Sequence, residues 1–253
     1  MNDHEGERGR AVQDEPEARH QREQHAGLGG LLRETAIVVG TALVLSLLIK
    51  TFLAQAFFIP SESMEDTLVV DDRVLVNLLE PGPLPLERGD VVVFKDPGGW
   101  LDPSVAPERS ALGQGVVDVL TFVGVLPQDA GEHLIKRVVG LPGDRVVCCD
   151  EQGRVSVNGE PLDESYLPDG TEPSSLTFDV EVPDGRIWVM GDNRGFSQDS
   201  RYHQDLEGGG TVAEDLMVGR ATLLFWPLDR FGGLSNHSEV FDDVPSAGSA
   251  DGP

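Results

Sequence analysis

Apolar and polar residues alternate in two different patterns along this chain, one on each side of a single long apolar run. Residues 1–35 are rich in Glu, Arg, His and Gly, carry no apolar periodicity, and read as a disordered tail. From Ala36 to Ile49 there is no charged residue, and after Lys50 the apolar character resumes through Phe58. The stretch 36–58 matches the ~20 residues that cross a bilayer as a helix. Lys50 and Gln55 lie toward its outer end, where a lysine stem can snorkel to the interface. A cleavable signal peptide fits poorly, because the run starts far from Met1 and no small-residue cleavage site precedes the segment that follows. A buried core helix fits no better, since nothing nearby is amphipathic enough to cover it. Arg19, Arg22 and Arg33 precede the run, while Arg73 alone follows at comparable distance. That bias predicts a cytoplasmic tail and an outward C-terminal domain.

Beyond the run the period shortens to that of strands. Residues 69–79, 90–94, 135–139, 145–147, 155–157, 178–182, 187–189 and 219–225 are short and rich in β-branched side chains. Turn signals bound them: Pro81-Gly82, Pro142-Gly143-Asp144 and Asn158-Gly159. Asn158-Gly159 supplies the positive φ angles of a tight hairpin turn, so 154–161 is expected to fold back on itself. Many short strands at irregular spacing predict a mainly β fold: a coiled sheet, partly closed as a barrel, behind one N-terminal transmembrane helix. The catalytic domain is expected over 59–231. Residues 97–133 break the pattern with Gly, Pro and an apolar patch and read as an insertion. Residues 232–253 contain no Lys or Arg and read as a second disordered, acidic tail.

Charge narrows the function classes. Nineteen basic residues against 44 acidic ones give a net charge of −25, with no basic cluster to neutralise a phosphate backbone, so no nucleic-acid partner is expected. The two cysteines, Cys148 and Cys149, are neighbours and cannot build a disulfide framework. Two thiols on opposite faces of a strand is the favoured reading, with a vicinal disulfide as its alternative. No Cys/His spacing reads as a zinc site, and neither a metal nor a cofactor is expected.

The candidate chemistry lies directly after the apolar run, in Phe57-Phe58-Ile59-Pro60-Ser61-Glu62-Ser63-Met64. A serine needs a base within hydrogen-bond reach to act as a nucleophile. His133 and His203 lie in no evident motif. Lysine can serve if burial removes its proton, whereas arginine stays protonated. Only three lysines exist, and beyond the run only Lys95 and Lys136 remain. Lys95 precedes Asp96 in a turn and reads as a solvated pair. Lys136 sits inside Leu134-Ile135-Lys136-Arg137-Val138-Val139, where a strand face would bury it.

Pro60-Ser61-Glu62-Ser63-Met64, with Thr67-Leu68, resembles the nucleophile box of the bacterial type I signal peptidases. Gly89-Asp90-Val91-Val92-Val93-Phe94 is similar to their second box, and Lys136-Arg137-Val138-Val139-Gly140-Leu141-Pro142-Gly143-Asp144 to their lysine box. Gly191-Asp192-Asn193-Arg194, with Ser197, Asp199, Ser200 and Arg201, resembles the last. The resemblance implies a membrane-bound serine endopeptidase that removes signal peptides after Ala-x-Ala sites. It implies Ser63 as nucleophile and Lys136 as general base, with the Ser63 N–H and the Ser61 hydroxyl stabilising the oxyanion. Ser197 would hydrogen-bond the lysine amine, and Asp199 and Arg201 would support the site. Phe57, Ile59, Met64, Leu68, Leu134 and Ile135 match positions that line shallow apolar substrate pockets. The implied partners are signal peptides of exported preproteins, the lipid bilayer of the plasma membrane and the secretion translocon. A related peptidase of narrower substrate range is the runner-up. A catalytically dead binding module is disfavoured by intact Ser63, Lys136 and Ser197. Glu62, Asp66 and Gly195-Phe196 depart from the family pattern without touching a proposed catalytic atom.

Overall fold

A single helix, α1 (Glu15–Phe52), opens the structure, a computed structural model that describes residues 15–101 and 133–248, with α1 side chains described from Gly30 onward. The chain divides into two units, Met1–Ser46 and Leu47–Pro253. Within α1 the 23 residues Gly30–Phe52 have a mean hydropathy of 2.0 and expose their apolar side chains. At 1.5 Å per residue this segment is about 35 Å long, enough for the ~30 Å hydrocarbon core of a bilayer. The helix begins earlier than expected, because the Glu, Arg, Gln and Ala of residues 15–29 are good helix formers. Residues 15–35 are therefore helical rather than disordered.

The helix also ends earlier than expected. It closes at Phe52, where the Leu53 N–H donates to Ile49 O at 2.8 Å. Residues expected to carry a helix on to Phe58 instead form strand β1 (Ala54–Phe58), paired antiparallel with β2 (Arg73–Asn77) in the register Ala54↔Asn77 to Phe58↔Arg73. A membrane helix and a buried strand have the same apolar composition, and a short run carries too little periodicity to separate them.

All eight expected strands are present. β3 (Val91–Lys95), β4 (His133–Gly140), β5 (Arg145–Cys148), β6 (Val155–Val157), β8 (Phe178–Glu181), β9 (Arg186–Met190) and β11 (Met217–Trp226) join β2. Short β7 (Glu160–Pro161), β10 (Val212–Ala213) and β12 (Gly232–Gly233) complete the set. The larger sheet runs β1-β2-β11-β3-β4-β9-β10, with β12 on β11, and remains open at β1 and β10. The smaller runs β7-β6-β5-β8. Register shifts in β11 and in the β4–β9 pair mark the bulges that coil the large sheet. The β6–β7 hairpin turns at Asn158 (φ 53°) and Gly159 (φ 86°), the left-handed pair a tight turn requires. Cys148 and Cys149 are joined as a vicinal disulfide rather than left as two thiols.

Strand β4 is an interior strand of the larger sheet, flanked by β3 and β9 and buried from Leu134 to Gly140. Of the expected insertion 97–133, His133 already belongs to β4 and residues 102–132 lie outside the described residues.

The C-terminal segment corrects the second expected tail. Residues 232–248 are ordered onto the domain: β12 pairs with β11, and Phe241 and Val244 are buried in a cluster with Val139, Trp188 and Met190. Composition hid this, because two or three apolar anchors suffice when Asn236 O lies so close to Gly89 that no side chain would fit there. Phe241→Ala should lower the unfolding free energy by about 3 kcal/mol in urea titrations, as cavity-forming Phe→Ala changes in cores do. Phe196→Ala, at a residue 76% exposed, should shift it by under about 0.5 kcal/mol.

Candidate active site

Two tight loops and one strand bring the candidate residues together. Pro60 lacks an N–H and closes β1, after which Glu65 N–H donates to Glu62 O and Leu68 N–H to Met64 O. Met64 and Leu68, both fully buried, pin this turn into the cluster that holds Ile59 and Val74. Ser63, 6% exposed, is thereby fixed between the buried Ile59 and Met64.

Lys136 projects from the middle of β4, where its register partner on β3 is Val92. Its Nζ donates to Ser63 Oγ at 2.5 Å, and both groups are buried. Burial pushes the amine down to about 8 from its ordinary 10.5. The carboxylates of Asp199 and Asp192 oppose that shift, and the Arg201 guanidinium adds to it. An amine in this position becomes neutral as the pH rises through about 8 and can then accept the hydroxyl proton it now faces. Ser61 Oγ, on the exposed side, is 3.4 Å from Ser63 Oγ.

The loop after β9 clasps the serine from behind. Asn193 N–H donates to Ser63 O at 3.2 Å, and Asn193 Nδ2 donates to Glu62 O at 3.0 Å. Gly191 must be glycine: a Cβ there would lie 2.2 Å from Ser197 Oγ and 2.4 Å from Ser63 O. Asp199 accepts from Gly191 N–H at 2.9 Å and takes both ends of the Arg201 fork at 2.8 Å. Burial pushes the Asp199 carboxyl up, but the paired Arg201 outweighs it and holds it below the usual range. Ser197 Oγ helps to hold Asp199 down, yet has no partner at hydrogen-bonding geometry among the described residues. The expected bond from Ser197 to the lysine amine is thus not formed; the amine is engaged by Ser63 instead.

An apolar cleft adjoins Lys136 and Ser61, with Phe57, Ile59, Leu134 and Ile135 in its wall. Met64 and Leu68 do not reach it, because both point down into the core. Leu101, Val93 and His133 line it as well, and the sequence reading missed all three. His133 meets the Phe57 ring edge-on at 5.3 Å. The weight carried by Arg137 and Asp192 was missed too, although a charged pair of residues inside an apolar strand run is itself a signal that one must be ion-paired. Arg137 binds Asp192 through Nε at 2.9 Å and Nη2 at 2.6 Å, with both side chains out of solvent. No cluster able to hold a metal occurs among the described residues.

The family model "Signal peptidase, peptidase S26" matches residues 32–226. A probable signal peptidase I of Mycobacterium leprae is 38% identical over 233 residues, covering 81% of this chain and 80% of that protein. A signal peptidase I of Mycobacterium tuberculosis is 38% identical over 221 residues, covering 79% and 74%. A probable signal peptidase I-2 of Synechocystis is 36% identical, covering 79% and 75%.

The depressed lysine predicts how stability varies with pH. Below about pH 8 both folded and unfolded chains hold the proton, so the fold bears the full cost of a buried ammonium. Between about 8 and 10.5 the unfolded chain binds more protons than the folded one, and stability rises with pH. Relative to Lys136→Met, the protein should gain about 3 kcal/mol across that window, measured by denaturant unfolding at each pH. A flat difference would mean that the amine is not depressed.

Proposed function

The chain belongs to the signal peptidase family S26, serine endopeptidases that remove signal peptides, and from that premise we propose that it does so with a Ser63–Lys136 dyad. The observation that carries this reading is the 2.5 Å approach of the Lys136 amine to Ser63 Oγ inside an apolar strand environment. Neutral Lys136 takes the Ser63 proton as Oγ attacks the carbonyl carbon of the scissile peptide. The negative charge that forms on the carbonyl oxygen is met by the Ser63 N–H and the Ser61 hydroxyl. Lys136 then returns its proton to the departing amine, leaving an acyl-serine that water hydrolyses with the same base.

The cleft explains what is cut. Phe57, Ile59, Leu134 and Ile135 offer no charge to read a polar side chain, so selection works by size. Small residues fit at the first and third positions upstream of the cut, the Ala-x-Ala pattern. The residue between them faces away, because successive side chains of an extended strand alternate. The Gly30–Phe52 segment anchors the chain in the plasma membrane, with the β domain on the outer side where a signal peptide leaves the bilayer and the translocon.

Purified protein incubated with a preprotein should yield a product whose N-terminal sequence begins directly after Ala-x-Ala. Ser63→Ala and Lys136→Ala should each lower kcat/KM by about 10³-fold or more, and Lys136→Arg equally, since a guanidinium cannot act as the base. Normal turnover by the arginine variant would sink the dyad. Activity should climb with pH along an acid limb centred near 8, where the amine becomes neutral. A maximum near pH 5 would instead assign a carboxylate base.

A further inference from the structure

We propose that Leu101 is a specificity-determining residue, forming the outer wall of the cleft and limiting the side chain accepted at the third residue upstream of the cut. This rests on the cleft being the substrate site. Leu101 lines that cleft, yet it comes from none of the sequence motifs that mark the active site. It stands at the end of a short turn, Asp96–Leu101, that follows β3.

The turn is held rigidly for a surface segment. Asp96 Oδ1 accepts from Gly98 N–H at 3.0 Å and from Trp100 N–H at 3.1 Å, and Oδ2 accepts from Leu101 N–H at 3.4 Å. Trp100, 7% exposed, meets Phe94 edge-on at 5.8 Å and stacks on His203 at 4.3 Å with 8° between the rings. His203 Nδ1 lies 2.7 Å from Asp199 O, on the loop beneath the lysine. Leu101 is therefore held from its N-terminal side by a capped turn and a clamped tryptophan, and it packs on the cluster that contains Leu134; a side chain so held can exclude by size where a mobile one cannot.

Its position along the cleft follows from the strand register. Phe94, against which Trp100 packs, pairs with Leu134, and Leu101 packs on the cluster containing Leu134. Leu134 precedes Lys136 by two residues, about 7 Å along a strand. In an extended substrate, the side chains of the first and third residues upstream of the cut share one face and are also about 7 Å apart. With the first beside Lys136 and Ser63, the third meets Leu134 and Leu101.

The test uses the purified full chain and preproteins carrying Ala, Val or Leu at the third upstream residue, with alanine kept before the cut. Leu101→Ala should raise the Leu-to-Ala ratio of kcat/KM by about tenfold, the scale of one or two methylenes in an apolar pocket, and Leu101→Trp should lower it. Each ratio is internal to one variant, so partial loss of folded enzyme cancels. A parallel panel varied only at the residue before the cut should be unmoved. Ratios that stay within about twofold in both variants, or that move only at the residue before the cut, would overturn the assignment. If the unmodified protein cuts no preprotein, the peptidase reading itself fails, before any variant is compared.

Discussion

The buried Arg137–Asp192 ion pair is the constraint on which the rest of this domain depends. Both side chains are out of solvent, so each is costly without the other. The pair becomes tolerable because both side chains have further partners. Thr67 Oγ1 donates to Asp192 at 2.6 Å, Arg137 Nη1 donates to Gly89 O at 2.7 Å and to Ser235 O at 3.3 Å, and the guanidinium lies 4.3 Å over the Tyr166 ring. These partners come from the serine loop, the turn before β3, the C-terminal segment and the stretch between β7 and β8. One salt bridge therefore fixes the positions of segments far apart in the chain. It also explains why the C-terminal residues are packed and not loose, since they supply an acceptor to a cation that cannot go unpaired.

Arg137 is the neighbour of Lys136, and the contrast between them is the logic of the site. Successive side chains leave a strand on opposite faces, so β4 carries two cations into two environments. Arg137 is saturated with acceptors. Lys136 meets a neutral hydroxyl and feels Asp192 and Asp199 only through their fields. Asp192 spends its charge on Arg137, and Asp199 spends its own on Arg201 at 2.8 Å. Each arginine thus removes a carboxylate that would otherwise hold the lysine proton in place. Swapping the two side chains along β4 would leave an unpaired guanidinium in an apolar site and an ammonium where a fork is needed.

Much of this was legible in the sequence. The eight principal strands followed from β-branched runs bounded by turn residues, because a sheet's local grammar is short-ranged. Lys136 stood out because an apolar run on both sides is the signature of a desolvated amine, and Ser63 because it follows the apolar run within a specific motif. What escaped was set by contacts distant in sequence. The end of α1 depends on the pairing of Ala54–Phe58 with β2, which no local pattern reports. Met64 and Leu68 read like pocket residues, but the turn around Ser63 needs them as anchors in the core. Phe241 and Val244 look isolated among acids and serines until Gly89 and Trp188 are brought beside them.

Ser197 shows where motif and geometry part. Its place between Gly191 and Asp199 is fixed as tightly as any atom in the site, with no room for a methyl group on Gly191. Among the described residues its hydroxyl has no partner at hydrogen-bonding geometry, yet it stands close enough to Asp199 to help hold that carboxyl down. Lys136 is committed to Ser63 while the serine is intact. In the proposed dyad, Ser63 Oγ once acylated would carry no proton to give, and the amine would be free to take another partner.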